Sequence, residues 1–147
     1  QFDLNPHIPN YVYGHTLRMY GNKVVFAADP NWNPGGNNFY IYDIPSSVLT
    51  KIDEGHNEFE PEIYGDVVVY RQTRSSGDYL LACRIGATMQ NNGCGTNNPI
   101  TIRPPSQPLL QGHDIYENLV DWAEEFLNGS NYVASVYMHD LSTGLKT

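Results

Sequence analysis

One phrase of seven residues occurs three times in this chain. It reads Tyr20-Gly21-Asn22-Lys23-Val24-Val25-Phe26, then Tyr64-Gly65-Asp66-Val67-Val68-Val69-Tyr70, then Tyr116-Glu117-Asn118-Leu119-Val120-Asp121-Trp122. The shared form is tyrosine, a turn residue, Asn or Asp, an apolar or long residue, valine, a variable residue and an aromatic. The copies begin 44 and 52 residues apart. A repeat of that period points to one supersecondary unit stacked on copies of itself. It constrains chemistry less, because a repeat fold is a platform on which a site has to be built.

Each phrase leads into a turn and a second β-type run. Asn31 to Asn38 precedes Phe39-Tyr40-Ile41-Tyr42-Asp43, Ser75-Ser76-Gly77-Asp78 precedes Tyr79 to Arg84, and Asn128-Gly129-Ser130-Asn131 precedes Tyr132 to Asp140. Clusters of Gly, Asn and Ser between β-rich runs are hairpin signals. Short runs at 48–52 and 100–102 close the first two units. With a strand before each tyrosine, such as Glu62-Ile63, a unit has four strands, which is the make-up of one β-propeller blade. The expected architecture is all-β: a single module over 1–147, with blades at roughly 15–52, 60–103 and 112–147. The third strands share a register, since Tyr40 to Ile44 matches Leu81 to Ile85 and Tyr137 to Leu141. The extra length of the second unit falls in the loop between Cys83 and Cys94.

The phrase Ile63-Tyr64-Gly65-Asp66 followed by valines and an aromatic, and above all His139-Asp140-Leu141-Ser142-Thr143-Gly144, resembles the blades of TolB-like β-propellers. The resemblance covers nearly the whole chain. It implies blade architecture and carries no catalytic residue. Members of that family include periplasmic interaction proteins, cell-surface repeat proteins and propeller domains attached to hydrolases.

A local signal competes with the repeat. Asp114-Ile115-Tyr116-Glu117 has the form of a capping box, and Ile115, Leu119, Trp122, Ala123, Phe126 and Leu127 follow at helical spacing. Residues 115–127 taken alone read as a helix. The repeat register makes Tyr116 to Trp122 the counterpart of Tyr64 to Tyr70, and the strand reading is preferred.

Three blades do not close a ring, because propellers use about four to eight. The last blade also stops early, with only Leu145-Lys146-Thr147 after Gly144. Gln1, Phe2 and Leu4, within the leading segment 1–14, have the register of the missing fourth strand. That predicts a strand donated between copies of the chain, in a ring or filament, or else a segment cut from a longer array. At the other end of the first unit, Tyr13-Gly14 competes with Tyr20-Gly21 as the blade start.

Composition narrows the partners. The net charge is −8, with 8 basic against 16 acidic residues, which argues against nucleic acid or an anionic membrane surface. No apolar run is long enough for a membrane span. Cys83 and Cys94 flank a polar Asn91-Asn92-Gly93 turn. A disulfide is the preferred reading and two free thiols the alternative, since the spacing does not suit a metal site. A disulfide, low lysine content and the Asn128-Gly129-Ser130 sequon point to an extracellular, cell-surface or periplasmic location.

Candidate chemistry is sparse. His7, His15, His56, His113 and His139 are scattered with no ligand spacing. Glu58, Glu60 and Glu62 alternate and would share one face of an extended strand; with Asp53, Glu54 and His56 they read as a solvated acidic connection rather than a calcium or glycosidase site. Trp32, set among asparagines, is a candidate glycan contact. No nucleophile elbow or phosphate loop is present, so no catalytic, cofactor or metal residue is assigned. Val24, Phe26, Val68, Tyr70, Val120 and Trp122 are the expected core between blades. The functional expectation is a non-catalytic, self-assembling extracellular module or protein-interaction platform. A carbohydrate-binding propeller and a fragment of a propeller hydrolase are the alternatives.

Overall fold

The computed structural model describes residues 11–12, 16–29, 38–52, 54–105 and 109–147. Those residues form three antiparallel sheets and no α-helix. The first sheet contains β1 (Tyr11–Val12), β2 (Arg18–Tyr20), β3 (Lys23–Asp29), β4 (Asn38–Asp43) and β5 (Val48–Ile52), with both β1 and β2 paired to β3. The second runs in order through β6 (Asn57–Tyr64), β7 (Val67–Arg74), β8 (Gly77–Arg84) and β9 (Ile100–Arg103). The third consists of β10 (Leu109–Tyr116), β11 (Leu119–Asn128) and β12 (Asn131–Asp140).

The repeated phrase is the hairpin that joins the first two long strands of each sheet. Tyr20 pairs with Lys23, Tyr64 with Val67 and Tyr116 with Leu119, across two-residue turns. Such tight turns need positive φ, which glycine adopts without steric cost. Gly65 supplies it with φ 63°, and Glu117 takes the same position with φ 56°. One tertiary hydrogen bond recurs in all three units. The amides of Ile44, Ile85 and Leu141 donate to the carbonyls of Asn22, Asp66 and Asn118 at 2.9, 2.7 and 2.8 Å.

Residues 115–127 are not helical. β10 ends at Tyr116 and β11 carries Leu119 to Asn128, so cross-strand pairing overrides the local capping signal. The pairing gives β11 a burial alternation of period two over Leu119 to Glu124, with Val120, Trp122 and Glu124 buried.

The sheets pack face to face, each on the next. Val25, Phe39, Ile41 and Ile52 of the first sheet share a core with Val68, Tyr70, Leu81 and Cys83 of the second. The other face of the second sheet, with Val67, Val69, Leu80 and Ala82, packs on Ile115, Val120 and Trp122 of the third. Val24 and Phe26 are buried too, but in a separate cluster with Ala28, Tyr40 and Tyr42 on the outer face of the first sheet. Between the first two sheets the contact is therefore made by Val25, one residue along from the expected pair. Residues 24–28 of β3 are buried on both faces, so no polar alternation marks which side meets the neighbour.

Cys83 and Cys94 are disulfide-bonded. The bond sits in the connection 85–99 between β8 and β9, where the first sheet needs only the turn 44–47. The loop returns tightly, with the amide of Cys94 donating to Arg84 O at 3.0 Å and that of Gly93 to Thr88 O at 2.9 Å. The third sheet has only the start of a fourth strand. Lys146 bridges His139, and Met138 and Thr147 exchange two backbone hydrogen bonds of 2.9 Å. Among the described residues no helix is long and apolar enough to cross a membrane.

Candidate interaction face

Because the sheets stack in one direction, equivalent positions in them can be compared. Phe39, Leu80 and Val136 hold the same place in the repeat, as do Ile41, Ala82 and Met138. Phe39 and Leu80 are 0% exposed and Val136 is 76% exposed. Ile41 and Ala82 are 6% and 0% exposed, against 44% for Met138. Leu119, the counterpart of the buried Val67, is also exposed. The face that each earlier sheet buries against its successor is open on the third. It forms a shallow cleft of about 380 Å³, lined in part by Asp114, Tyr116, Leu119, Asp121, Val136 and Met138.

The open face is apolar with a charged centre. Asp121 stands where the first two sheets have the buried Val25 and Val69, and it lies directly opposite Asp114. Like charges in directly opposed cross-strand positions repel. Asp114 belongs to a row of three, since Arg18, Glu62 and Asp114 each precede the repeat tyrosine by two residues. Arg18 Nε donates to Glu62 Oε2 at 2.6 Å between the first and second sheets. Burial pushes the Glu62 carboxyl up, the Arg18 guanidinium pulls it back, and the neighbouring Asp114 and Glu60 charges push it up further, with the net shift upward. A parallel row is aromatic. The rings of Tyr20 and Tyr64 lie 4.6 Å apart and those of Tyr64 and Tyr116 5.1 Å apart, and Tyr116 is 65% exposed at the end of the row. The hydrogen bond with Tyr20, together with some desolvation, holds the Tyr64 hydroxyl up at about 12.

Polar groups buried between sheets are tied to partners of their own. Arg103 Nε donates to Glu124 Oε1 at 2.6 Å, Trp122 Nε1 donates to the same oxygen at 3.1 Å, and Arg103 Nη1 donates to Asp78 O at 2.8 Å. Burial pushes the Glu124 carboxyl up, but the Arg103 and Trp122 hydrogen bonds and the Arg103 charge outweigh it and hold the group low. Between the first two sheets, Tyr70 donates to Glu54 Oε2 at 2.8 Å, and Gln72 Nε2 donates to Glu58 Oε1 at 2.9 Å. This arrangement is structural: it lets Glu54 and Glu58 lie in a core.

The alternating glutamates do not share a face. The register shifts between Phe59 and Glu62, around Glu60 with φ 54° and Pro61, which has no N–H for the ladder. Glu58 then pairs with Gln72 and Glu62 with Val69, on opposite sides. His113 sits over this bulge, in a crevice of about 220 Å³ with Arg18, Glu60 and Glu62. Both its ring nitrogens are enclosed, and burial pushes the imidazole down to about 4. His56 is exposed and His139 lies in β12. Among the described residues no group of three or more His, Cys, Asp or Glu side chains is placed to hold a metal ion.

Of the other residues singled out in the sequence, Val68, Tyr70, Val120 and Trp122 are buried between sheets. Asn128 is exposed where β11 enters its tip turn. Gln1, Phe2, Leu4, His7, Tyr13, Gly14, His15, Trp32 and Asp53 lie outside the described residues. The open face and the Arg18–Glu62–Asp114 row escaped sequence reasoning. The signal was present in the variable positions of the repeat, where reading residue −2 of each copy gives Arg, Glu and Asp.

No family profile matches the chain. Among curated proteins it is similar to histidinol-phosphate aminotransferase 1 of Psychrobacter arcticus, with 29% identity over 106 residues. That alignment covers 57% of this chain and 28% of the aminotransferase, so the chain spans about a quarter of that protein's length.

Proposed function

We propose that this protein is a non-catalytic, propeller-type building block of an extracellular assembly, which works by docking a further β-sheet on the open face of its third sheet. The supporting observation is the contrast in burial at equivalent positions: Phe39 and Leu80 are fully covered where Val136 is bare. Apolar area at the centre of a sheet face stabilises association by roughly 25 cal/mol per Å² removed from water. The edge of β12 from Asn131 to Tyr137 has no strand partner among the described residues, and an added strand would extend the pairing that Lys146 and Thr147 begin. The segment with Gln1, Phe2 and Leu4 of another copy fits that role by sequence register. The Cys83–Cys94 disulfide agrees with an oxidising location.

Sedimentation velocity over a wide concentration range tests this reading. A mass that grows with concentration, and that Val136→Lys suppresses, is the expected result. A strict monomer of 16.6 kDa at every concentration contradicts it.

A further inference from the structure

The rows that run along the first strands of the three sheets end abruptly at the third. The acidic and basic row reads Arg18, Glu62, Asp114, and the aromatic row reads Tyr20, Tyr64, Tyr116. At the far end, Asp114 and Asp121 face each other with the exposed ring of Tyr116 beside them. At the near end, Met19 of β2 pairs with Val24 at the position that Ile63 and Ile115 hold in the other sheets. Those isoleucines are 8% and 6% exposed, whereas Met19 is 65% exposed. The inner margin of the first sheet is thus open on the side that would meet a preceding sheet.

Resting on the stacking role proposed above, we infer that the partner on the third sheet is a second copy of this chain docked head to tail, with its Arg18 against Asp114 and Asp121 and its Tyr20 against Tyr116. Each row then continues with the spacing it has inside one chain. A guanidinium has five N–H donors in a fork, enough to serve Glu62 of its own chain and Asp114 of the next. The charges also select the orientation. Two third sheets packed face on face would gather four aspartates in one apolar interface, which like-charge repulsion and desolvation oppose. The head-to-tail contact brings a cation to that site, and such heterologous contacts build rings or filaments.

Charge reversal tests the contact in sedimentation velocity with the full chain. Asp114→Lys and Arg18→Glu should each weaken association by about 30-fold or more, as expected when one partner of a desolvated pair is lost. An equimolar mixture of the two should recover growth, because every contact between unlike variants again joins opposite charges. Asp114→Asn and Arg18→Gln, which place no reversed charge beside Glu62, should show smaller losses in the same direction. If the unaltered chain associates and all four variants associate equally well, the Arg18–Asp114 contact is wrong while stacking stands. If the unaltered chain never associates, the contact and the stacking role both fall.

Discussion

Glu117 shows at the residue scale how closely the three units follow one template. It occupies the left-handed turn position that glycine fills in the other two copies, at φ 56°. A side chain there costs about 1 kcal/mol or more, and glycine gives back part of that through unfolded-chain entropy. Glu117→Gly should therefore stabilise the protein by about 0.5 kcal/mol, seen as a higher chemical-denaturation midpoint at unchanged slope. His113 yields a prediction in pH. Its folded pKa is about 4 against an ordinary 6.5, so the unfolded chain takes up a proton that the folded chain refuses. Stability should fall as pH drops from about 6.5 towards 4, by up to about 3 kcal/mol from this group. Glu62 acts with the opposite sign, since its raised carboxyl protonates more readily when folded. Comparing denaturation of the native chain with His113→Gln across that window isolates the histidine; equal slopes would remove it from the account.

Among the elements, the hairpins were legible because period-two patterning and paired turn residues agree in three copies. The strand over Leu119–Asn128 was legible only by comparison between copies, since its own capping box and apolar spacing suggest a helix. Two features were hidden for physical reasons. β3 is apolar on both faces, so the side that meets the second sheet, Val25 rather than Val24, leaves no mark in the pattern. The bulge at Glu60 breaks the alternation that would have put Glu58 and Glu62 together, and only the pairing with β7 reveals it. The β8–β9 connection is the element most dependent on a covalent tie. It joins Cys83, fully buried in the core, to a loop in which a Cβ at Gly93 would lie 2.0 Å from Ala87 O. Replacing both cysteines by alanine should cost about 2–4 kcal/mol of stability in denaturant titration. Exchange of the amides at 85–99 should rise with it, and a loop as protected as before would show that the disulfide is dispensable there.

For the whole molecule, direction is the property that matters. Each sheet buries one face against the sheet before it and the other against the sheet after it, and the third has no successor. The chain's three methionines happen to mark this geometry. Met19 lies at the open margin of the first sheet, Met138 on the open face of the third, and Met89 in the disulfide loop, all of them exposed. Exposed methionine thioethers oxidise to sulfoxides, and a covered one is spared. Oxidative footprinting of the dilute and the concentrated protein, read residue by residue in a mass spectrometer, tests the central claim most directly. Stacking of copies on the third sheet predicts that Met138 and Met19 become protected together as concentration rises, while Met89 continues to oxidise at its dilute rate. Equal oxidation of all three at every concentration would contradict it.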